Sequence, residues 1–255
     1  MKGENRHIAI IILVLLVFIV ILNGVACARL AGIPKVKIDW GGSNARDEVA
    51  SSLQILILIT ILSLAPAILI MMTSFTRIII VLSFLRHAIG TQQIPPNQVL
   101  VSFALFLTFL TMYPTFNKVN QSAMKPYMEG SISQKKAIVR AESHMRKFMF
   151  RQTREKDLEL FLYASDTKRP NSKEDIPTMV LVPSFILSEL RTSFTMGFTL
   201  FITFVIIDMV VASVLMSIGM FMLPPMMISL PIKIMIFVMV DGWYLVVKSL
   251  IFSFN

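Results

Sequence analysis

Apolar runs alternate with short polar segments along the whole chain. Ile8–Leu22 is an uninterrupted apolar stretch behind the basic residues Lys2 and Arg6, and Ala26-Cys27-Ala28 follows it. A basic start, a short apolar core and a small-x-small triplet mark a signal peptide over 1–28, with Ala26 and Ala28 at the cleavage site. Fifteen apolar residues fall short of the roughly 20 needed to span a bilayer; the alternative is an uncleaved anchor helix. Residues 29–50 are polar, with a turn at Gly41-Gly42-Ser43-Asn44, and read as an exported tail. Apolar sequence returns from Leu53 to Met72, long enough to span, with a kink expected at Pro66. An amphipathic helix follows. Gly90 is its expected C-cap, and Pro95-Pro96 close the segment. A second apolar run, Val99–Met112, is expected to end at Pro114.

The pattern changes over 117–180, which hold 13 basic and eight acidic residues. Between Lys136 and Tyr163, apolar Ile138, Met145, Phe148, Met149, Leu158, Phe161 and Leu162 recur at roughly helical spacing, so this is an amphipathic helical region outside the hydrocarbon. Asp166–Pro177 reads as a loop. Beyond Val180 the chain is again apolar to its end, broken by the Pro224-Pro225 pair. The expected fold is all-α: an integral membrane protein of helical hairpins with an exported helical domain. Its parts are the signal peptide (1–28), the tail (29–50), a first transmembrane helical hairpin (51–116), a periplasmic helical domain (117–182) and a second hairpin with a methionine-rich Pro-Pro turn (183–255).

Composition agrees with a membrane protein. The chain is 55% hydrophobic and only 15% charged, whereas a soluble domain carries about a quarter charged residues. The net charge of +9 sits in the connecting segments, which fits lipid contact and topology better than nucleic acid. No basic-aromatic groove pattern occurs. One cysteine excludes an intrachain disulfide, and His7, His87 and His144 lack metal-ligand spacing. No metal or other cofactor is expected, and no phosphate-binding loop or nucleophile set points to an enzyme. An exported start places Arg77 and Arg86 at the cytoplasmic boundary and 117–180 outside, in line with the positive-inside rule for the short loop.

The candidate chemistry gathers between Asp208 and Trp243. Met216, Met220, Met222, Met226 and Met227 crowd the Pro224-Pro225 break, with Phe221 among them. Methionine is unbranched and deformable, so such side chains from several subunits would close a pore as a compliant hydrophobic seal that dewets. Asp208 and Asp241 lie almost equally far from the prolines, so a simple hairpin sets them at one level. A shared-proton pair would suit an intramembrane aspartyl protease or a proton or ion relay. The plainer reading is a structural hydrogen bond or ion pair with Lys233, Lys248, Arg191 or a neighbouring subunit. Glu189 and Arg191, two residues apart, cannot face each other on a helix and read as interfacial or assembly charges.

Two long stretches carry a family resemblance. TSFTRIIIVLSFLRHAIGTQQIPPNQVLVSFALFLTFLTMYP at 73–114 resembles the first signature of the FliP family, and SFILSELRTSFTMGFTLFITFVIIDMVVASVLMSIGMFMLPPMMISLPIKIMIFVMVDGW at 184–243 resembles the second. With their flanks they cover roughly half the chain. The resemblance implies a subunit of the type III protein export gate at the flagellar base, in the bacterial inner membrane. It implies several copies assembled with FliQ and FliR into a helical pore complex, with FlhB, FlhA and a cytoplasmic ATPase complex completing the apparatus, and unfolded flagellar proteins passing through. The family's methionine gasket maps onto Met220, Phe221 and Met222, with Pro224, Pro225, Met226 and Met227 supporting the turn. Phe221 replaces a usual methionine, and Thr203 stands where proline is common, from which a less kinked helix is expected. The resemblance further implies that some hydropathic runs are buried by protein instead of lipid. A small-solute or ion transporter using Asp208 and Asp241 remains the alternative; no internal repeat supports it.

Overall fold

The computed structural model describes residues 53–254, apart from 54, 58, 61, 62, 65, 66, 69, 92, 166–171 and 221–223. The expected signal peptide with Ala26 and Ala28, the polar tail, Pro66, Phe221 and Met222 therefore lie outside the described residues. Contacts divide the chain at Leu56/Ile57, and the second unit, Ile57–Asn255, contains the packed helices. Its described residues between 57 and 71 are helical and exposed.

The helices are α1 (Phe75–Ile89), α2 (Asn97–Val119), α3 (Lys125–Met128), α4 (Gln134–Gln152), α5 (Glu155–Ala164), α6 (Thr178–Ser217), α7 (Pro225–Met239) and α8 (Gly242–Phe252). A π-helical turn, Asn120–Met124, joins α2 to α3. No strand occurs among the described residues. The fold is all-α. Asn97–Met128 and Thr178–Ser217 are long and apolar enough to cross a membrane, and α7 with α8, bent by 64° at their break, form a broken span or a re-entrant loop.

Helix α1 is the centre of the packing. Ile78, Val81, Leu82, Leu85, Ala88 and Ile89 recur at three- and four-residue spacing and are all buried. They pack chiefly on α6 and α2. Helix α1 ends as its sequence predicts: Gly90 adopts φ 92° and its N–H donates to the His87 carbonyl. The buried cluster continues through Leu100, Ala104 and Leu107 of α2, Phe148 and Met149 of α4, Leu181 and Phe185 of α6, and Leu250 and Phe254 at the C-terminal end. A glycine sets the approach of α6 to α1, because a Cβ on Gly197 would lie 2.6 Å from the Phe84 ring. Gly197→Ala is expected to lower stability by about 1–3 kcal/mol through overpacking. Urea or thermal unfolding of the detergent-solubilised protein measures this; an unchanged midpoint would mean that Phe84 yields freely.

Several boundaries differ from the sequence reading. Pro114 does not end the second run: α2 continues through it to Val119. Proline costs the helix one hydrogen bond and crowds the preceding turn, and here the apolar packing on both sides of it keeps the helix together. The divisions expected at 116/117 and 182/183 fall inside α2 and α6. The region from Lys136 to Tyr163 is two helices, broken at Thr153-Arg154, and Ile138 is exposed. Helix α6 is unbroken over 40 residues, or about 60 Å, twice a hydrocarbon core of roughly 30 Å. It continues without a break through Thr203, whose hydroxyl donates to the Thr199 carbonyl.

The break at the end of α6 also lies elsewhere. The helix stops at Ser217, seven residues before the double proline. Gly219 takes φ 81°. Its N–H donates to the Met216 carbonyl at 3.1 Å, and the Met220 N–H donates to the Leu215 carbonyl at 3.1 Å. These two bonds make a Schellman end, in which glycine supplies the left-handed residue. Pro224-Pro225 instead start the next helix, with Pro224 at its N-cap and Pro225 at its first position.

Candidate functional site

Two ion pairs fix the long helix α6, and between them they decide how the hairpin is built. The first lies deep in the bundle. Arg77 of α1 is 2% exposed and Glu189 of α6 is fully buried. Nε of Arg77 donates to Glu189 Oε2 at 2.9 Å, and one terminal nitrogen donates to Oε1. That nitrogen also donates to Gln152 Oε1 at 2.9 Å. The other gives its two hydrogens to Ser253, to the carbonyl at 2.8 Å and the hydroxyl at 3.0 Å. All five donors of the guanidinium fork are thereby used, and its carbon sits 4.0 Å from the Phe254 ring centre. One side chain ties α1, α4, α6 and the segment after α8 together.

Arg77, expected as a charge at the cytoplasmic boundary, and Glu189, expected as an interfacial or assembly charge, are buried against each other inside the bundle. Burying either alone would cost several kcal/mol, which the bidentate pairing offsets. Arg191 is exposed. Arg86, at the end of α1, is half-buried and donates to Asn97 Oδ1 at 2.5 Å, which closes the α1–α2 turn.

The second pair holds the hairpin. Lys233 of α7 is 5% exposed. Its ammonium donates to Asp208 Oδ2 at 2.6 Å and to the Ala88 carbonyl at 3.3 Å. Ala88 lies in the last turn of α1, where carbonyls lack helical partners and the helix dipole favours a cation. Lys233 thus joins α6, α7 and the end of α1. Of the partners open to Asp208 in the sequence, Lys233 is the one supplied.

The two aspartates are not level. Asp208 stands nine residues before the end of α6, opposite Lys233, eight residues after the start of α7. Asp241 lies another eight residues on, about 12 Å farther along the helix. The stop at Gly219 shortens α6 relative to the sequence expectation and shifts the register. Asp241 is exposed, sits at the break between α7 and α8 with φ 52°, and makes no side-chain cap. A shared-proton pair is excluded by this offset.

The described methionines at the hairpin end are exposed. Met216, Met220, Met226 and Met227 are 56%, 40%, 66% and 71% exposed. Large apolar side chains at such density on one tip mark a surface that meets lipid or another chain.

The sequence of this tip and of the helices behind it matches known proteins. The FliP family model matches residues 58–250. The chain belongs to the FliP family. Its relatives include the flagellar biosynthetic protein FliP of Bacillus subtilis (strain 168), 55% identical over 83% of this chain and 96% of the relative. The proteins of the same name from Aquifex aeolicus (strain VF5) and Pectobacterium carotovorum subsp. carotovorum are 48% and 51% identical. They pair with 88% and 89% of this chain and with 92% and 86% of their own lengths, respectively. The matched residues 58–250 contain both ends of each ion pair, Arg77 with Glu189 and Asp208 with Lys233.

Several contributing residues escaped the sequence reading. Ser188 bridges α5 and α6: its hydroxyl accepts from the Arg154 N–H at 3.1 Å and donates to Asp157 Oδ2 at 2.6 Å. Arg154 is the N-cap of α5 and Asp157 its third residue, so Ser188 completes from outside a capping box that a short aspartate cannot close alone. The sequence signal was faint, a basic residue followed by acids in a first turn. Gln152, Ser253 and Phe254 gave no signal, since nothing local sets them apart. Gly219 did give one, as a glycine just after a long apolar run.

Proposed function

We propose that this FliP-family chain is a non-enzymatic, pore-forming subunit of the flagellar type III export gate in the bacterial inner membrane, conducting unfolded flagellar proteins. The observation that carries the reading is the uncovered methionine tip on a hairpin that two buried or half-buried ion pairs hold rigid. A rigid stalk with a deformable apolar end suits a seal: the stalk positions it, and the methionines close around shapes of different width. Several copies would bring Met220, Phe221 and Met222 into one ring, with Pro224, Pro225, Met226 and Met227 behind it. FliQ and FliR would complete the pore, and FlhB and FlhA would flank it. The exposed apolar side chains along α6 and α7 support assembly against other helices as well as lipid. The amphipathic helices α4 and α5, with their charged outer faces, support an exported helical domain. In this assignment Asp208 holds the hairpin together through Lys233 and is no part of a relay.

The test is ion leak through the complex purified with FliQ and FliR and reconstituted in vesicles. Replacing Met220, Phe221 and Met222 together by alanine removes the bulk that keeps the constriction dry. Leak is expected to rise at least about tenfold while native mass spectrometry shows the same subunit composition. Unchanged leak with assembly intact would sink the seal, and recovery of the chain alone, without partners, would sink the gate.

A further inference from the structure

Helix α8 carries a row of polar groups on its outer face. Gly242, Val246 and Leu250 are its buried side. Asp241 at its start, Tyr244 and Lys248 follow one another at three- and four-residue spacing on the other side, and all three are exposed. Leu245 and Phe252 share that face and are 51% and 61% exposed. Asp241 stands near the middle of the bent pair α7–α8, which together is long and apolar enough for a membrane segment. The ion pairs among the described residues are Arg77–Glu189 and Lys233–Asp208, and neither charge of α8 belongs to them.

Lipid, a second copy and water are the three surroundings open to such a face. Charged side chains on apolar segments almost always face protein or a water-filled cavity, so lipid is disfavoured. The pose of the lysine agrees. A lysine that serves the headgroup layer reaches toward the nearer end of its helix. Lys248 stands four residues before the end of α8, yet its ammonium lies 5.6 Å from the centre of the Tyr244 ring, on the side of Asp241. A second copy face to face fares no better. Copies inserted in one direction and paired about an axis along the membrane normal set Asp241 beside Asp241 and Lys248 beside Lys248, like charge against like. Water suits the row: one charge of each sign, about 10 Å apart along the helix, with a phenol hydroxyl between them.

We propose that this face of α8 is part of the wall of the water-filled path along which the extended polypeptide passes. The inference rests on the export-gate reading. An unfolded chain presents backbone amides and side chains of both signs in turn. A row that offers donors and acceptors without net charge gives each a weak partner and holds none, as conduction requires. Leu245 and Phe252 do the same for apolar side chains. The buried side of α8 keeps the row in place: Leu250 and Phe254 belong to the core, and Ser253 accepts two of the five Arg77 bonds.

Thiol accessibility in the assembled complex tests the wall. Cys27 is the chain's single cysteine, so a Cys27→Ser background leaves this chain without thiols. Tyr244→Cys and Lys248→Cys are placed in it singly, with Val246→Cys on the buried side as the reference. Membranes are sonicated with a charged, membrane-impermeant methanethiosulfonate, so that it reaches both faces, and labelling is followed on this chain by mass. The two row positions are expected to react at least about tenfold faster than Val246→Cys. A flagellin fused to a tightly folded domain, stalled in transit before the membranes are isolated, is expected to slow both at least about fivefold. Thiols as slow as the reference mean that lipid or a neighbouring subunit covers the face. Rates that ignore the stalled chain mean that it looks onto open water. Either result overturns the proposal. Should a cysteine variant fail to assemble, ion selectivity decides. In the reconstituted complex whose methionine seal is replaced by alanine, Lys248→Gln and then Lys248→Glu should raise the cation-to-anion permeability ratio stepwise, by at least about threefold in total. An unchanged ratio overturns the wall. That assay separates the two claims: no leak from the opened seal counts against the export-gate reading, whereas leak with an unchanged ratio sinks the wall alone.

Discussion

Arg77→Met is expected to leave almost no folded protein in the membrane. The substitution strips Glu189 of its counter-charge in a fully buried position. It also frees Gln152 and Ser253 from their common partner. Removing one member of a buried pair costs about 3–5 kcal/mol, a large part of a typical folding free energy of roughly 5–15 kcal/mol. Membrane abundance and trypsin resistance of the tagged chain measure the effect. The double variant Arg77→Met with Glu189→Leu should recover much of the lost abundance, since it leaves no charge behind. Arg77→Lys should not recover it: an ammonium has three donors and no planar fork, and cannot make five bonds to three partners. Full abundance of Arg77→Met would mean that the cluster is held by packing alone.

At the second pair the two partners should not be equivalent. Asp208→Asn leaves the ammonium of Lys233 buried with only the Ala88 carbonyl and a neutral amide to receive it. Lys233→Met leaves a carboxylate that is partly open to its surroundings. The first is therefore the more damaging, at about 1–3 kcal/mol and toward the upper end. Flagellin secretion and complex yield should fall further for Asp208→Asn than for Lys233→Met. Combining the two should be better than Asp208→Asn alone, because no unpaired charge remains. If Asp208→Asn secretes normally while Lys233→Met does not, the lysine acts chiefly as the cap of α1 and the ion pair is secondary.

Local signals were readable in proportion to their locality. The helical periodicity of α1, its glycine stop and the fold class all follow from residues within a few positions of one another. The end of α6 was misplaced because a double proline is a louder break than one glycine, although the glycine forms the stop and the prolines form a start. Pro114 was read as a terminus for the same reason: its local penalty is visible in the sequence, and the packing that outweighs it is not. The ion pairs were legible only in part. Asp208 and Lys233 lie in one signature, so a partner could be suggested. Arg77 and Glu189 are separated by 112 residues, and an arginine between apolar residues looks like a boundary marker until its partner is placed beside it. The methionine tip stood out because such a cluster at a chain break serves no purpose in an ordinary core.

That separation has a consequence for synthesis. Arg77 leaves the ribosome 112 residues ahead of its carboxylate and 176 ahead of Ser253. At about 5–20 residues per second, the first delay alone is roughly 6–20 s. During it α1 carries an uncompensated guanidinium on its most apolar side and cannot settle where it will finally lie. Maturation of the chain must then be a late, concerted docking, in which α1 is drawn in only after α6 has been made and is sealed when Ser253 reaches Arg77.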